Sequence, residues 1–254
     1  HDDAGENRSA TKEIKDLFEG EVVFTAPKPT KLIQKILELV PAEDGDVLLD
    51  FFAGSATTAD AVMRWNASGN TLWNFILVQA AEPCNPSSVA GLSGYATIAD
   101  VSRERVRRAG AACIEAAGFD ADSLDVGFRS LHVDTTNLVD VSRSPDQTNQ
   151  LSLDQLERSV KPDRSSEDLL FQVLLDWGLE LTMPISVEQV DAAEVFVVDN
   201  GALIACFDEN VSPVVVHSIA KRQPLRAVFR DSSFVSDDAR INAEQVFREI
   251  SPSS

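Results

Sequence analysis

The stretch from Asp46 to Thr58, Asp-Val-Leu-Leu-Asp-Phe-Phe-Ala-Gly-Ser-Ala-Thr-Thr, constrains this chain more than any other. Val47, Leu48 and Leu49 form an apolar run of the buried-strand type, and Asp50 closes it. Phe51, Phe52 and Ala53 lead to Gly54, a residue able to take a tight turn and to let a ligand approach the backbone. Ser55, Thr57 and Thr58 are candidate caps for a helix over Ala59 to Asn66. A strand, a glycine turn and a helix N-terminus set backbone N–H groups and the positive end of a helix dipole beside a cleft. An acidic side chain at the strand tip accepts hydrogen bonds from an amine or hydroxyl. The pattern reads as the small-molecule cleft of an α/β sheet. A tight strand-to-helix turn with no ligand is the alternative, because one glycine is weaker than a G-x-G-x-x-G fingerprint.

Around this stretch the chain alternates in type. Ser9 to Glu13 starts a short helix with Ile14, Leu17 and Phe18 on one face, and His1 to Arg8 is a polar end. Val22 to Phe24 reads as a brief extended piece. Pro27 and Pro29 hold Lys28 in an extended segment, as a solvated charge or as a cation directed at a carboxylate. Thr30 to Val40 is an amphipathic helix stopped by Pro41. Phe75 to Val78 is a second buried strand ending at Gln79, with Glu82 beyond it. In doubly wound folds a polar residue at that strand tip bonds a ribose hydroxyl; the alternative for Glu82 is a surface carboxylate. Cys84 to Gly94 reads as a loop, and Ile98 to Ala117 as a helix ended by Gly118. That helix carries Arg103, Arg105, Arg107 and Arg108, which read as a solvated basic face or, less simply, a phosphate-facing patch. Val126 to Val133 reads as a strand and Val139 to Glu157 as loop or linker.

The last third has its own pattern. Leu169, Leu170, Val173, Leu174 and Trp177 share a helix face that Ser165 or Ser166 caps and Gly178 ends. Val195 to Val198, Asp199-Asn-Gly and Ala202 to Phe207 make a hairpin signal. Val214 to Val216 and Leu225 to Phe229 read as further strands, and Ala243 to Ile250 as a closing helix. Residues 160–254 thus form a small α+β unit separate from the N-terminal α/β half.

Charge excludes some roles. With 22 Lys and Arg against 41 Asp and Glu, the net charge of −19 repels nucleic-acid phosphates, so any DNA contact is local or supplied from elsewhere. Cys84, Cys113 and Cys206 have no C-x-x-C spacing and argue for a reducing compartment. No apolar run approaches a membrane span and no signal-peptide pattern is present. There is no H-E-x-x-H, no G-x-S-x-G and no G-x-x-x-x-G-K-[ST], which leaves zinc, serine-hydrolase and phosphate-hydrolysis chemistry without their motifs. His132 and His217 lie on apolar stretches as core or edge residues.

Together, Lys28-Pro29…Leu32-Ile33, the Val47 to Thr58 stretch, Phe75-Ile-Leu-Val-Gln and Thr97-Ile-Ala-Asp…Arg103-Glu-Arg resemble the S-adenosylmethionine-binding half of amino-group DNA methyltransferases of the β arrangement. Glu167-Asp-Leu-Leu-Phe-Gln-Val-Leu-Leu-Asp-Trp-Gly-Leu and Pro224-Leu-Arg-Ala-Val-Phe-Arg-Asp-Ser…Asp237-Asp…Ile241-Asn…Glu244-Gln-Val-Phe resemble the modification subunit of type III restriction–modification systems. The resemblance implies a partial Rossmann-like methyltransferase sheet over residues 1–120, a connecting strand and linker over 121–159, and an α+β assembly domain over 160–254. It implies methyl transfer from S-adenosylmethionine to adenine N6 by a cytoplasmic enzyme. The partners would be DNA, met through the full-length subunit, a restriction subunit and a second modification subunit. Carried over, Asp50, Phe51, Phe52, Ala53, Gly54 and Ser55 line the donor pocket and Thr57 and Thr58 follow at the helix start. Lys28 and Pro29 sit near the donor's methionine end. Gln79, or Glu82 if the strand ends later, faces the ribose.

Two departures qualify this. Ala56 stands where the family usually has the second glycine of Gly-Ser-Gly. Its methyl weakens donor binding unless the local dihedrals are helical. The Asp-Pro-Pro-aromatic tetrapeptide, which prepares the target amine and stacks on the flipped base, is absent, for the chain contains no Pro-Pro. The chain therefore reads as the C-terminal portion of a longer subunit, catalytically silent alone. The second reading is a non-catalytic interaction module with a vestigial donor pocket.

Overall fold

A computed structural model describes residues 7–139 and 160–251. The expectations for residues 1–6 and for the linker from 140 lie outside them. The protein is mixed α/β and divides into two units, 1–130 and 131–254.

In the first unit, α1 (Asn7–Leu17) and α2 (Thr30–Leu39) precede β1 (Asp46–Asp50), α3 (Thr57–Ala67) and β2 (Trp73–Leu77). A one-turn α4 (Val89–Leu92) and the long α5 (Ile98–Ala117) follow. β1 and β2 pair in parallel, with Leu48 opposite Phe75 and Asp50 opposite Leu77. One face of this pair is covered: Leu48 and Phe75 pack with Leu37, Val62 and Trp73, while Leu77 packs with Ala56, Ala59, Met63 and Val106. The other face is not. Val47, Leu49 and Ile76 are 52%, 46% and 50% exposed, so the expectation of strands buried on both sides is corrected. A two-stranded parallel ladder offers too little width for a second covering layer.

Two more expectations change in this unit. The expected loop from Cys84 to Gly94 contains α4, whose Ser88 side chain accepts the Gly91 N–H at 3.2 Å. Val126 to Val133 is not a strand: Leu124, Val126 and Phe128 lie half-buried against the α3–α5 core, and the Gly127 N–H is taken by the Asp125 carboxylate at 3.0 Å. That local turn uses a donor that a ladder needs.

The second unit holds a four-stranded sheet in the order β3 (Ile185–Val190), β4 (Ala193–Val198), β5 (Leu203–Cys206), β6 (Arg226–Phe229). The first two pairings are antiparallel and β5–β6 is parallel, joined across α7 (Pro213–Lys221). Side chains alternate as a pleat requires. Phe196, Val198, Leu203 and Ala205 meet Leu169, Leu170 and Leu174 of α6 (Ser166–Asp176). Val195, Val197, Ile204 and Cys206 meet Val215, Val216 and Ile219 of α7 and Ala243 of α8 (Asp237–Ile250). The expected hairpin is present, with Asp199, Asn200 and Gly201 at φ +46°, +54° and +104°.

β3 has no counterpart in the sequence reading, and Val214 to Val216 is helix rather than strand. Ser212 caps that helix and Pro213 sits in its first turn, so the buried set Val215, Val216, Ile219, Ala220 follows the helical period. α8 begins at Asp237, six residues before the expected start, where the Ser236 side chain accepts the Ala239 N–H at 3.2 Å.

Candidate functional site

The tips of β1 and β2 lie side by side, and the chain leaving β1 turns back between them. Ala53 N–H donates to Val78 C=O at 3.1 Å, and Val78 N–H to Asp50 C=O at 2.8 Å. Gly54 takes φ +55°, a conformation L side chains rarely adopt. A Cβ there would make ordinary contact with the Phe24 ring at 3.4 Å, so the turn favours glycine for its dihedral rather than for its space. The place of the Phe24 ring beside Gly54 was not visible in the sequence.

Several expected residues meet here. The Asp50 carboxylate accepts the Phe52 N–H at 3.0 Å and the Thr58 hydroxyl at 2.6 Å. Gln79 accepts the Gly54 N–H at 2.8 Å and donates to Ala80 C=O at 3.1 Å, so its amide is engaged in holding the turn. Phe51 and Phe52 are 63% and 91% exposed, whereas Ala53, Ser55, Thr57 and Thr58 are buried. Pro29 is buried at the start of α2, and Lys28 before it is exposed. Glu82 is exposed; its backbone C=O accepts the Ile98 N–H at 2.9 Å, and the Gln79 side chain, not Glu82, reaches the glycine turn.

The capping expectation is corrected. Ala56, not a hydroxyl residue, is the N-cap of α3, and it has no side-chain capping bond. It sits at φ +59°, ψ +36°, left-handed and fully buried, so the condition under which its methyl would be harmless is not met. The hydroxyls that looked like caps serve elsewhere: Ser55 Oγ and Thr57 Oγ1 accept from Arg105 at 3.0 and 2.8 Å.

Arg105 is the residue most misread from sequence. It is 0% exposed and forks its Nε and Nη2 onto Asp60 Oδ2 at 3.1 and 2.9 Å, with Asp60 equally buried. No helical basic face could reveal it, because its partner is 45 residues away in sequence. The other arginines of α5 are more exposed, and Arg108 also donates to Leu17 C=O at 3.0 Å. Arg103 pairs with Asp100, and Arg107 and Arg108 pair with Glu104. The basic face is thus locally neutralised rather than offered to phosphate. Arg64 also bonds Asp60, at 2.6 Å; burial, the largest influence, pulls its pKa down, but the charge and hydrogen bond of Asp60, together with smaller contributions from Cys113 and Glu13, hold it above the usual value. Burial raises the Cys113 thiol, only partly offset by Arg64, and keeps it neutral.

A parallel strand, a positive-φ glycine, a helix start and polar side chains at adjacent strand tips are the parts of a nucleotide-type cleft. Residues 3–82, which contain all of them, match the family model described as DNA methylase, N6_N4_Mtase. The type III restriction-modification enzyme StyLTI Mod subunit of Salmonella typhimurium is 43% identical over 128 residues, 50% of this chain and 19% of that protein. Over up to about half of its length, this chain is similar to type III modification subunits. The EcoP15I Mod subunit of Escherichia coli is 42% identical over 105 residues, 41% of this chain and 16% of that protein. The type II methyltransferase M.KpnI of Klebsiella pneumoniae is 35% identical over 97 residues, 38% of this chain and 23% of that protein. The matches span about a fifth of these relatives' length. No helix among the described residues is long and apolar enough to cross a membrane.

Proposed function

We propose that the first unit is the S-adenosylmethionine-binding part, Rossmann-like in arrangement, of a cytoplasmic adenine-N6 DNA methyltransferase. It works within a longer modification subunit that meets DNA, a restriction subunit and a second modification subunit. The second unit is its assembly domain. The observation that carries the reading is the strand-tip pair, Asp50 and Gln79, set around the positive-φ Gly54 inside the stretch that matches the DNA methylase family.

The residues present fit such a donor. Gly54 supplies a backbone surface without a side chain, and a Cβ there would fill the space beside Phe24. Phe51 and Phe52 offer exposed rings for a planar base. In this reading Lys28 meets the donor's methionine carboxylate and Asp50 its amine or hydroxyls. Gln79 supports the ribose side through Gly54, with Glu82 as the alternative beyond the strand. Ala53, Ser55, Thr57 and Thr58 form the buried wall behind the turn. When bound, the donor supplies an electrophilic methyl group on a sulfonium, and a net charge of −19 favours a cationic ligand. The chain's own residues bind and orient; none is placed to prepare an adenine amine, since no Pro-Pro exists in the sequence.

The test is calorimetric titration of the chain with S-adenosylmethionine, beside an assay for labelled methyl transfer to DNA. Saturable one-to-one binding with no transfer is expected. Absence of binding overturns the donor site, and transfer to DNA overturns the division of labour.

A further inference from the structure

The groove between β6 and α8, lined by Phe229, Phe234 and Phe247, carries as many carboxylates as arginines and indicates no ligand. The bare face of the β1–β2 sheet indicates no particular occupant.

We propose that Arg105 is a positioning residue for the donor-binding turn, a role that rests on residues 50–58 being the donor site. From α5, its guanidinium joins two pieces of chain that are far from it and from each other in sequence, residues 55–60 and Glu13. Nη1 holds the hydroxyls of Ser55 and Thr57, on either side of Ala56. Nε and Nη2 hold Asp60 in the first turn of α3. Nη2 also lies 3.7 Å from Glu13 Oε2, and that same oxygen accepts the Thr30 N–H at 3.0 Å, just after Lys28-Pro29. One turn earlier on α5, Ser102 donates its hydroxyl to Gly54 C=O.

These contacts fall on the turn between β1 and α3, where Gly54 and Ala56 both have positive φ. A rigid planar fork with five donors can hold several oxygens in fixed mutual positions; an ammonium group cannot. Arg105 therefore sets the shape of the turn and its relation to the Lys28–Pro29 segment, without touching the ligand. A buried ion pair that only fills the core would leave the turn unchanged when replaced by apolar side chains.

Two variants separate these roles: Arg105→Lys, which keeps the charge and loses the fork, and Arg105→Met combined with Asp60→Leu, which removes both fully buried charges and leaves the Arg64 guanidinium, 40% exposed, to solvent. Amide hydrogen exchange of residues 53–58 is followed without ligand, and S-adenosylmethionine affinity is titrated. Exchange in the turn is expected to rise at least about tenfold in both variants, with β1 and α5 unchanged, and donor affinity to fall by about tenfold or more. Natural exchange and natural affinity in the paired variant overturn the proposal. So does faster exchange with unchanged affinity, and so does uniform loss of protection across the unit in both variants, which marks a core group only. If the natural chain binds no donor, the donor site itself fails, while the exchange arm still reads whether Arg105 holds the turn.

Discussion

β1 and β4 are both short apolar strands, yet they meet different surroundings. Every β4 side chain from Val195 to Val198 is at least 92% buried, because α6 covers one face of its sheet and α7 and α8 the other. In β1 the side chains alternate between packed Leu48 and half-exposed Val47 and Leu49. The two strands are alike in sequence; the difference is how many layers surround them. A strand read as buried from its apolar run carries information about the sheet it evolved in, and the covering layer decides whether that burial is realised.

The largest effects should expose this contrast. Leu170→Ala, beneath the covered sheet, is expected to cost about 3 kcal/mol of stability in denaturant titration. Leu49→Thr on the bare face should change stability by about 0.5 kcal/mol or less. Equal costs would mean that the β1 face is covered after all.

Each unit also has one matched device, a capping box, and here the units should behave alike. Thr97 and Asp100 open α5, and Ser165 and Asp168 open α6. Thr97→Ala and Ser165→Ala should each cost about 1 kcal/mol, read from thermal unfolding at neutral pH. Both carboxylates are held below the usual range: Asp100 first by the Thr97 hydroxyl, Asp168 first by the Ser165 backbone N–H. Because the folded-state value is the lower one, the stabilisation is complete above the unfolded value near about pH 4 and is lost as pH falls through the folded value. Thr97→Ala should therefore flatten the acid dependence more than Ser165→Ala, which leaves the backbone bond in place. The reverse order would show that the two boxes differ.

The smallest effect concerns Ala56. Ala56→Gly relieves a left-handed residue but removes a fully buried methyl, two terms of about 1 kcal/mol each that oppose. A net change under about 1 kcal/mol is expected in chemical unfolding. A larger loss would show that the methyl matters more to the α3–α5 core than the backbone strain does.

Much of the site was legible because it is local. The β1 apolar run, Gly54 and the Asp199-Asn-Gly turn are set by neighbours in sequence, and each stands where expected. What was hidden depended on partners distant in the chain. Arg105 reads as one more charge on a basic helix until Asp60 and Ser55 are brought to it. Val214 to Val216 reads as a strand by composition until the Ser212 cap and Pro213 impose the helical period. Ser55, Thr57 and Thr58 look like caps because hydroxyls before an apolar run usually are; here Arg105 and Asp50 take them instead.

The central claim is that the turn after β1 holds the methyl donor. Hydrogen exchange of the chain with and without saturating S-adenosylhomocysteine, the donor's product, tests it most directly. The account predicts slowed exchange in residues 50–58 and around Gln79, with 160–251 unchanged. Protection confined to residues 160–251, or none anywhere, would contradict it.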